Sequence, residues 1–132
     1  MGQQQLLLIV LGVILVGVAV VLGIQYFSVG AEEGAKDEIV AHNLTIGANA
    51  QQFAKKPTAM GGGNNSFADF ITDAWTNKLE DRLGESTNGQ YLPSAAVAAS
   101  ILITGSPKAP LGYTWSVATT VYLDIMVTVI NP

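Results

Sequence analysis

His42 is the only imidazole in the chain, and it lies near Asp37 and Glu38. Proton shuttling, nucleophilic catalysis or zinc binding would each need a second placed group: another histidine, a serine oriented by the ring, or a thiolate. No such partner is spaced to serve, and the chain has no cysteine. His42 therefore reads as a solvated or interface residue. Asp73, Glu80, Asp81 and Glu85 could attract a cation, but they lack the ligand spacing of a calcium loop and read as a solvated acidic helix face. Gly61-Gly62-Gly63 has neither the lysine nor the hydroxyl that completes a phosphate loop, so it reads as a linker. Tyr26, Phe27 and Phe53 suggest electron hopping, yet Phe27 and Phe53 stand about 40 Å apart along a helix, and core packing is the better account. Asn43-Leu44-Thr45 and Asn64-Asn65-Ser66 both fit the glycan-acceptor pattern, with Asn64 the better candidate because it falls in a loop. These residue types offer no catalytic, metal or cofactor site, and the chain is not expected to be an enzyme.

The elements around them explain more. From Leu6 to Ile24, 19 residues carry no charge and no strongly polar side chain. As a helix this stretch covers about 28 Å, close to the hydrocarbon thickness of a bilayer. A secretory signal would open on a basic segment. Here Gly2-Gln3-Gln4-Gln5 precedes the apolar run and the first basic residue is Lys36, so the segment is expected to stay with the chain. Gly12, Gly17 and Gly23 interrupt the aliphatic sequence. In water each would weaken a helix by about 1 kcal/mol relative to alanine, whereas in lipid glycines let helices approach closely. Ala19 with Gly23, and Gly30 with Gly34, repeat the small-residue spacing of such contacts.

No proline occurs before Pro57, and residue 56 is disfavoured in a helix because a proline follows it. One helix is thus predicted from about residue 4 to 55, about 75–80 Å long: a stem over 6–24 and an amphipathic rod over 25–56. Ile39, Ile46 and Phe53 recur every seven residues on the rod, beside Val40 and Leu44. Glu32 and Lys36 are spaced as a favourable i, i+4 pair. About 75 residues remain for a head over 57–132, few for an independent core without disulfides. Within it, Phe67, Phe70, Ile71, Ala74, Trp75, Leu79 and Leu83 predict a helix inside 66–83, opened by a capping box of Ser66 and Asp69 and stopped at Gly84. Val97–Thr104 and Thr114–Ile130 read as strands, separated by Pro107, Pro110 and Gly112, with Gln90–Leu92 a short third. The second run is long enough for two strands or one bent strand. It is expected to put Trp115, Val117, Val121, Leu123, Ile125, Val127 and Val129 on one face, and Thr120, Asp124 and Thr128 on the other. The fold class is therefore α+β: a long N-terminal helix packed on a small head with a short helix and a few-stranded antiparallel sheet. Net charge is −4 and the only basic cluster is Lys55-Lys56, which argues against nucleic acid as a partner.

The chain resembles type IV pilins and their pilin-like relatives in bacteria and archaea. The resemblance rests on the stem continuing as a rod, on the Gly2-Gln3 junction before the apolar run, and on the helix exit from Gln51 to Gly63. It implies a subunit held in the cytoplasmic membrane, handled by a leader peptidase and pilus assembly machinery, and extracted into a helical homopolymer at the cell surface. The residues expected at the filament core are Gln3, Gln4, Gln5, Leu6, Leu7, Leu8, Gly12, Gly17, Gly23, Tyr26, Phe27, Gly30, Gly34, Ile39, Ile46 and Phe53. Two departures stand out. Bacterial pilins usually place a glutamate near the start of the stem to pair with a neighbour's N-terminal amine, where this chain has three glutamines. The proline common in such stems is also missing. Two other functions fit the layout: a minor pilin or pseudopilin of a secretion or adhesion machine, and a single-pass membrane-anchored binding module. In the second, the rod would be a coiled-coil spacer with Ile39, Ile46 and Phe53 facing a partner helix.

Overall fold

The structure is a computed structural model that describes residues 2–108 and 112–132. Pro110, taken above as one of the separators between strand runs, lies outside the described residues. Helix α1 spans Gly2–Lys55, as the absence of proline before Pro57 predicts. By contact density the chain divides after Gly34, and Ala35–Pro132 forms one compact unit. The second half of the rod therefore belongs to the head, and the division falls inside α1 rather than at its exit.

That exit is a constructed cap. The last turn of a helix leaves carbonyls without intrahelical partners. Here Gly63 N donates to Phe53 O at 2.9 Å, Asn64 N donates to Lys56 O at 2.9 Å, and Asn65 N donates to Ala54 O. The chain reverses through Gly61 at φ +78°, with Asn64 and Asn65 also in the left-handed region. A side chain at Gly62 would collide with the Lys56 backbone. The glycine-asparagine segment read as a linker is thus what closes the helix.

The predicted helix in 66–83 takes a different form. A π-helix covers Phe70–Leu79 and continues as the single α-turn α2, Glu80–Leu83. Its wide turns are visible in Thr76 Oγ1 and Asn77 Nδ2, which donate five residues back to Ile71 O and Thr72 O, both at 2.8 Å. The wider turn puts Phe70 and Trp75, five apart, together in the core. The capping box is not formed: Asp69 makes no side-chain cap bond, and Ser66 Oγ accepts from Ala68 N at 3.2 Å, ahead of the helix. Gly84 does end the segment, its N–H donating to Glu80 O at 2.8 Å.

Four strands follow as an antiparallel meander in the order of the chain: β1 Gly89–Ser94, β2 Ser100–Pro107, β3 Ser116–Tyr122 and β4 Met126–Asn131. The long C-terminal run is therefore two strands, turning at Leu123–Ile125, where Tyr122 N donates to Ile125 O at 2.8 Å. That turn changes which residues face the core. Val117, Thr119 and Val121 of β3 are buried, and their partners in β4 are Ile130, Thr128 and Met126. Val127 and Val129, expected beside Val117 and Val121, are exposed on the opposite face, and Ile125 in the turn is exposed as well. Strict alternation holds within a strand, and the turn resets its phase.

The core lies between the inner face of this sheet, the Ala35–Ala54 part of α1 and the π-helix. The approach of α1 is close because Gly105 lies beneath it: a Cβ there would stand 2.6 Å from Ile39 Cγ2.

Candidate functional site

Two regions carry the functional expectations, and they belong to different units. The first is the part of α1 before Gly34. No residue from Gly2 to Ala31 is charged, and every one is exposed in the single chain. This is one stretch long and apolar enough to cross a membrane. Gln3, Gln4 and Gln5 occupy its first turn, with Leu6, Leu7 and Leu8 exposed on the next. Tyr26 and Phe27 expose more than three quarters of their surface, at 77% and 79%. A Cβ at Gly12, Gly17, Gly23, Gly30 or Gly34 would meet nothing within 4 Å. Among the described residues, nothing in the chain stands close enough to require glycine at these positions.

Ile39, Ile46 and Phe53 are placed otherwise. They were expected at the filament core or against a partner helix, but they are 0%, 0% and 6% exposed and lie within the head's own hydrophobic cluster. The heptad stripe belongs to intrachain packing, because the sheet and the π-helix occupy the face it presents. Asn43 also departs from expectation as a glycan acceptor. It is fully buried, and its Nδ2 donates to Val117 O at 3.1 Å. Its Oδ1 is buried without a hydrogen-bond partner, close to Gly105. Asn64 remains exposed, at φ 50°.

The second region is a polar clasp between α1 and the loop leading into β1. Glu38 accepts from the backbone and side-chain amides of Asn88 and from Ser86. A carboxylate only accepts, so Ser86 Oγ donates to it and must accept from the Tyr91 hydroxyl 2.8 Å away. Ser86 Oγ also accepts from Gly89 N at 3.2 Å. One turn along α1, the His42 ring stacks on Tyr91 with centroids 4.2 Å apart and planes inclined by 16°. Its Nε2 lies 3.1 Å from Leu83 O; since a carbonyl only accepts, that nitrogen carries the proton. The hydrogen bond from Ser86, opposed by partial desolvation and aided by Asn88 and His42, holds the Glu38 carboxyl below the ordinary carboxylate value. Burial raises the Tyr91 hydroxyl above its ordinary value, against the opposing influence of its contact with Ser86.

No protein-family model, curated protein or solved structure matches the chain.

The clasp is therefore read from its geometry alone. Within it Glu38, Ser86, Asn88 and Tyr91 bond to one another and His42 Nε2 bonds to Leu83 O, while Tyr91 also lines the adjoining cleft. Among the described residues, no three His, Asp or Glu side chains gather to hold a metal. A cleft of about 780 Å³ is lined by Glu80, Asp81, Glu85, Gln90 and Thr104. Of its carboxylates, Glu85 is engaged by Lys108 at 3.5 Å and by Gln90 Nε2 at 3.4 Å. What the arrangement does is fix the position of α1 against the sheet through Glu38, His42 and Asn43. Sequence reasoning did not single out Ser86, Asn88 or Tyr91, since contacts 5 to 50 residues apart leave no periodic signal.

Proposed function

We propose that this chain is the structural subunit of a type IV pilus-like extracellular filament, polymerising through its apolar N-terminal helix. The observation that carries the reading is the uncharged, fully exposed helix over Gly2–Ala31, with glycines that nothing in the same chain explains. Left in water, its side chains would cost on the order of tens of kcal/mol at ~25 cal/mol per Å². Such a surface needs lipid or other helices around it. In lipid the backbone is satisfied within the helix, so the same segment is stable before assembly. Moving it into a bundle of like helices exchanges one apolar environment for another, and the gain must come from close packing at small residues. Gly12, Gly17 and Gly23 suit that exchange. Gln3, Gln4 and Gln5 supply amides able to hydrogen-bond between neighbouring stems where a pilin usually carries a carboxylate.

The coiled-coil form of the anchored-module reading loses its basis, because the face it assigned to a partner helix is buried in the head. An anchored monomer remains the competing reading. Cryo-electron microscopy of material sheared from the producing cell's surface separates the two. The filament reading expects thin fibres with the 6–24 stems bundled on the axis. Recovery of the protein only from membrane fractions, with no fibre containing it, would refute the proposal.

A further inference from the structure

The two edges of the head's sheet are treated differently. Along the outer side of β1, Tyr91 N donates to Gly84 O at 2.9 Å, and Gly89 O accepts from Ser86 N at 2.8 Å. Glu85 forms a bridge with Gln90, and β1 also contains Pro93, which brings no N–H. That edge is covered over residues 89–91. At the other edge, β4 has the sequence Met-Val-Thr-Val-Ile-Asn, without proline, lysine or any other charge. The hydrogen bond from Tyr122 N to Ile125 O sets the alternation of the β3–β4 ladder. Counting onward, Val127 and Val129 direct their backbone groups to β3, while Met126, Thr128 and Ile130 direct theirs outward. Among the described residues, no backbone group outside the β3–β4 ladder bonds to this strand.

Natural sheets blunt such an edge with charge, proline or a covering loop, and among the described residues β4 has none of these. We infer that the free edge of β4 pairs with β4 of a second copy of this chain, antiparallel about a two-fold axis. An extended strand is the only partner that matches a row of outward N–H and C=O groups at every second residue. The same strand from another copy supplies that row at identical spacing. It also brings no charge to oppose its own, and like charges directly opposite would destabilise the pair. No residue in any of the four strands is charged, so a sheet continued from one head into the next stays uncharged throughout. Val127 and Val129, 45% and 53% exposed on the outer face, would meet their copies across the junction. One strand pair is a small contact, and anchoring both chains in one membrane raises the local concentration at which the two strands meet. The pairing is independent of the filament proposal, since heads crowded in a membrane would meet in the same way.

The absence of cysteine makes the test direct. Outward-facing backbone groups sit at even positions, so the symmetry axis passes through residue 127, 128 or 129. These registers oppose Val127 to its copy, Val127 to Val129, or Val129 to its copy, at the ~4.5 Å Cα separation of a non-hydrogen-bonded pair that a disulfide can bridge. Full-length V127C, V129C and their equimolar mixture are oxidised mildly in detergent, with N77C, on the exposed π-helix, as the control for chance encounter. The fluorescence of buried Trp75 and Trp115 checks that each variant is folded. One of the three disulfide dimers should form at least about tenfold faster than the N77C dimer, the rate gain expected from a raised local concentration. Rates no faster than N77C in all three samples, or cross-links only to other proteins, would overturn the inference. Because filaments are scored separately by microscopy, cross-linking without filaments and filaments without cross-linking are distinguishable results.

Discussion

Asn43 makes the most exacting single contact in the head. It is a polar side chain with no exposed surface, on a helix face otherwise made of Ile39, Ile46 and Ala50, and its amide reaches a carbonyl of the central strand β3. Replacing the donor with a carboxylate would set acceptor against acceptor and bury an unpaired charge. Asn43→Asp should therefore lose about 3–5 kcal/mol at neutral pH. Part of the loss should return on acidification, since the protonated carboxyl can donate. Chemical denaturation at two pH values checks this, and a variant as stable as the parent would contradict the geometry. Glu38 gives a prediction with its own sign. Its folded-state pKa is depressed, so the stability it contributes is present above the ordinary carboxylate range and is lost as pH falls through the lowered folded value. Glu38→Gln should melt below the parent at neutral pH, with the gap closing in acid. A gap that stays constant across the titration would assign the loss to packing instead of charge. Neither role was legible in the sequence, where Asn43 offered only a glycan pattern and Glu38 only a charge near His42.

Element by element, the sequence was readable where periodicity is local and unreadable where a contact resets it. Helix α1 ends where proline predicts, and the antiparallel sheet follows from β-branched runs between turn residues. The phase of β4 depended on the length of the turn at 123–125, so Val127 and Val129 came out on the exposed face. The π-helix needed both Phe70 and Trp75 in one core, which no propensity encodes. Glycines show the same division. A Cβ at Gly105 would meet Ile39 at 2.6 Å and Asn43 Oδ1 at 2.9 Å, whereas a Cβ at Gly12 would meet nothing within 4 Å. Gly105→Ala should accordingly destabilise the head by about 1–3 kcal/mol, the usual range for overpacking. Gly12→Ala should leave the head's thermal unfolding unchanged. Melting both variants side by side tests whether α1 lies as close to the sheet as described; equal melting temperatures would show that it does not.

At the scale of the whole molecule, under the filament proposal stability and assembly fall to separate stretches of one helix. The 35–54 stretch of α1 contributes Ile39, Ile46, Ala50 and Phe53 to the head's core, while residues 2–31 are exposed throughout. If the chain polymerises as proposed, changes in the stem should affect polymerisation without affecting folding. Gly17→Leu is expected to preserve the head's melting temperature and membrane insertion while sharply reducing the filament recovered by shearing, because the added side chain holds neighbouring stems apart. Filament yield equal to the parent's would remove the close-packing role from Gly17.

The sequence by itself determined the long uncharged stem, the end of α1 and the α+β class, since each follows from composition and spacing within a short stretch. Tertiary structure alone decided how the rod is used. The heptad of Ile39, Ile46 and Phe53 is equally suited to a partner helix and to a sheet, and only the fold of residues 57–132 puts a sheet there. It decided, too, that Ser86, Asn88 and Tyr91 converge on Glu38 and His42, and that one sheet edge is covered while β4 is left open. Those outcomes depend on contacts between distant residues, and a spacing pattern records only near ones.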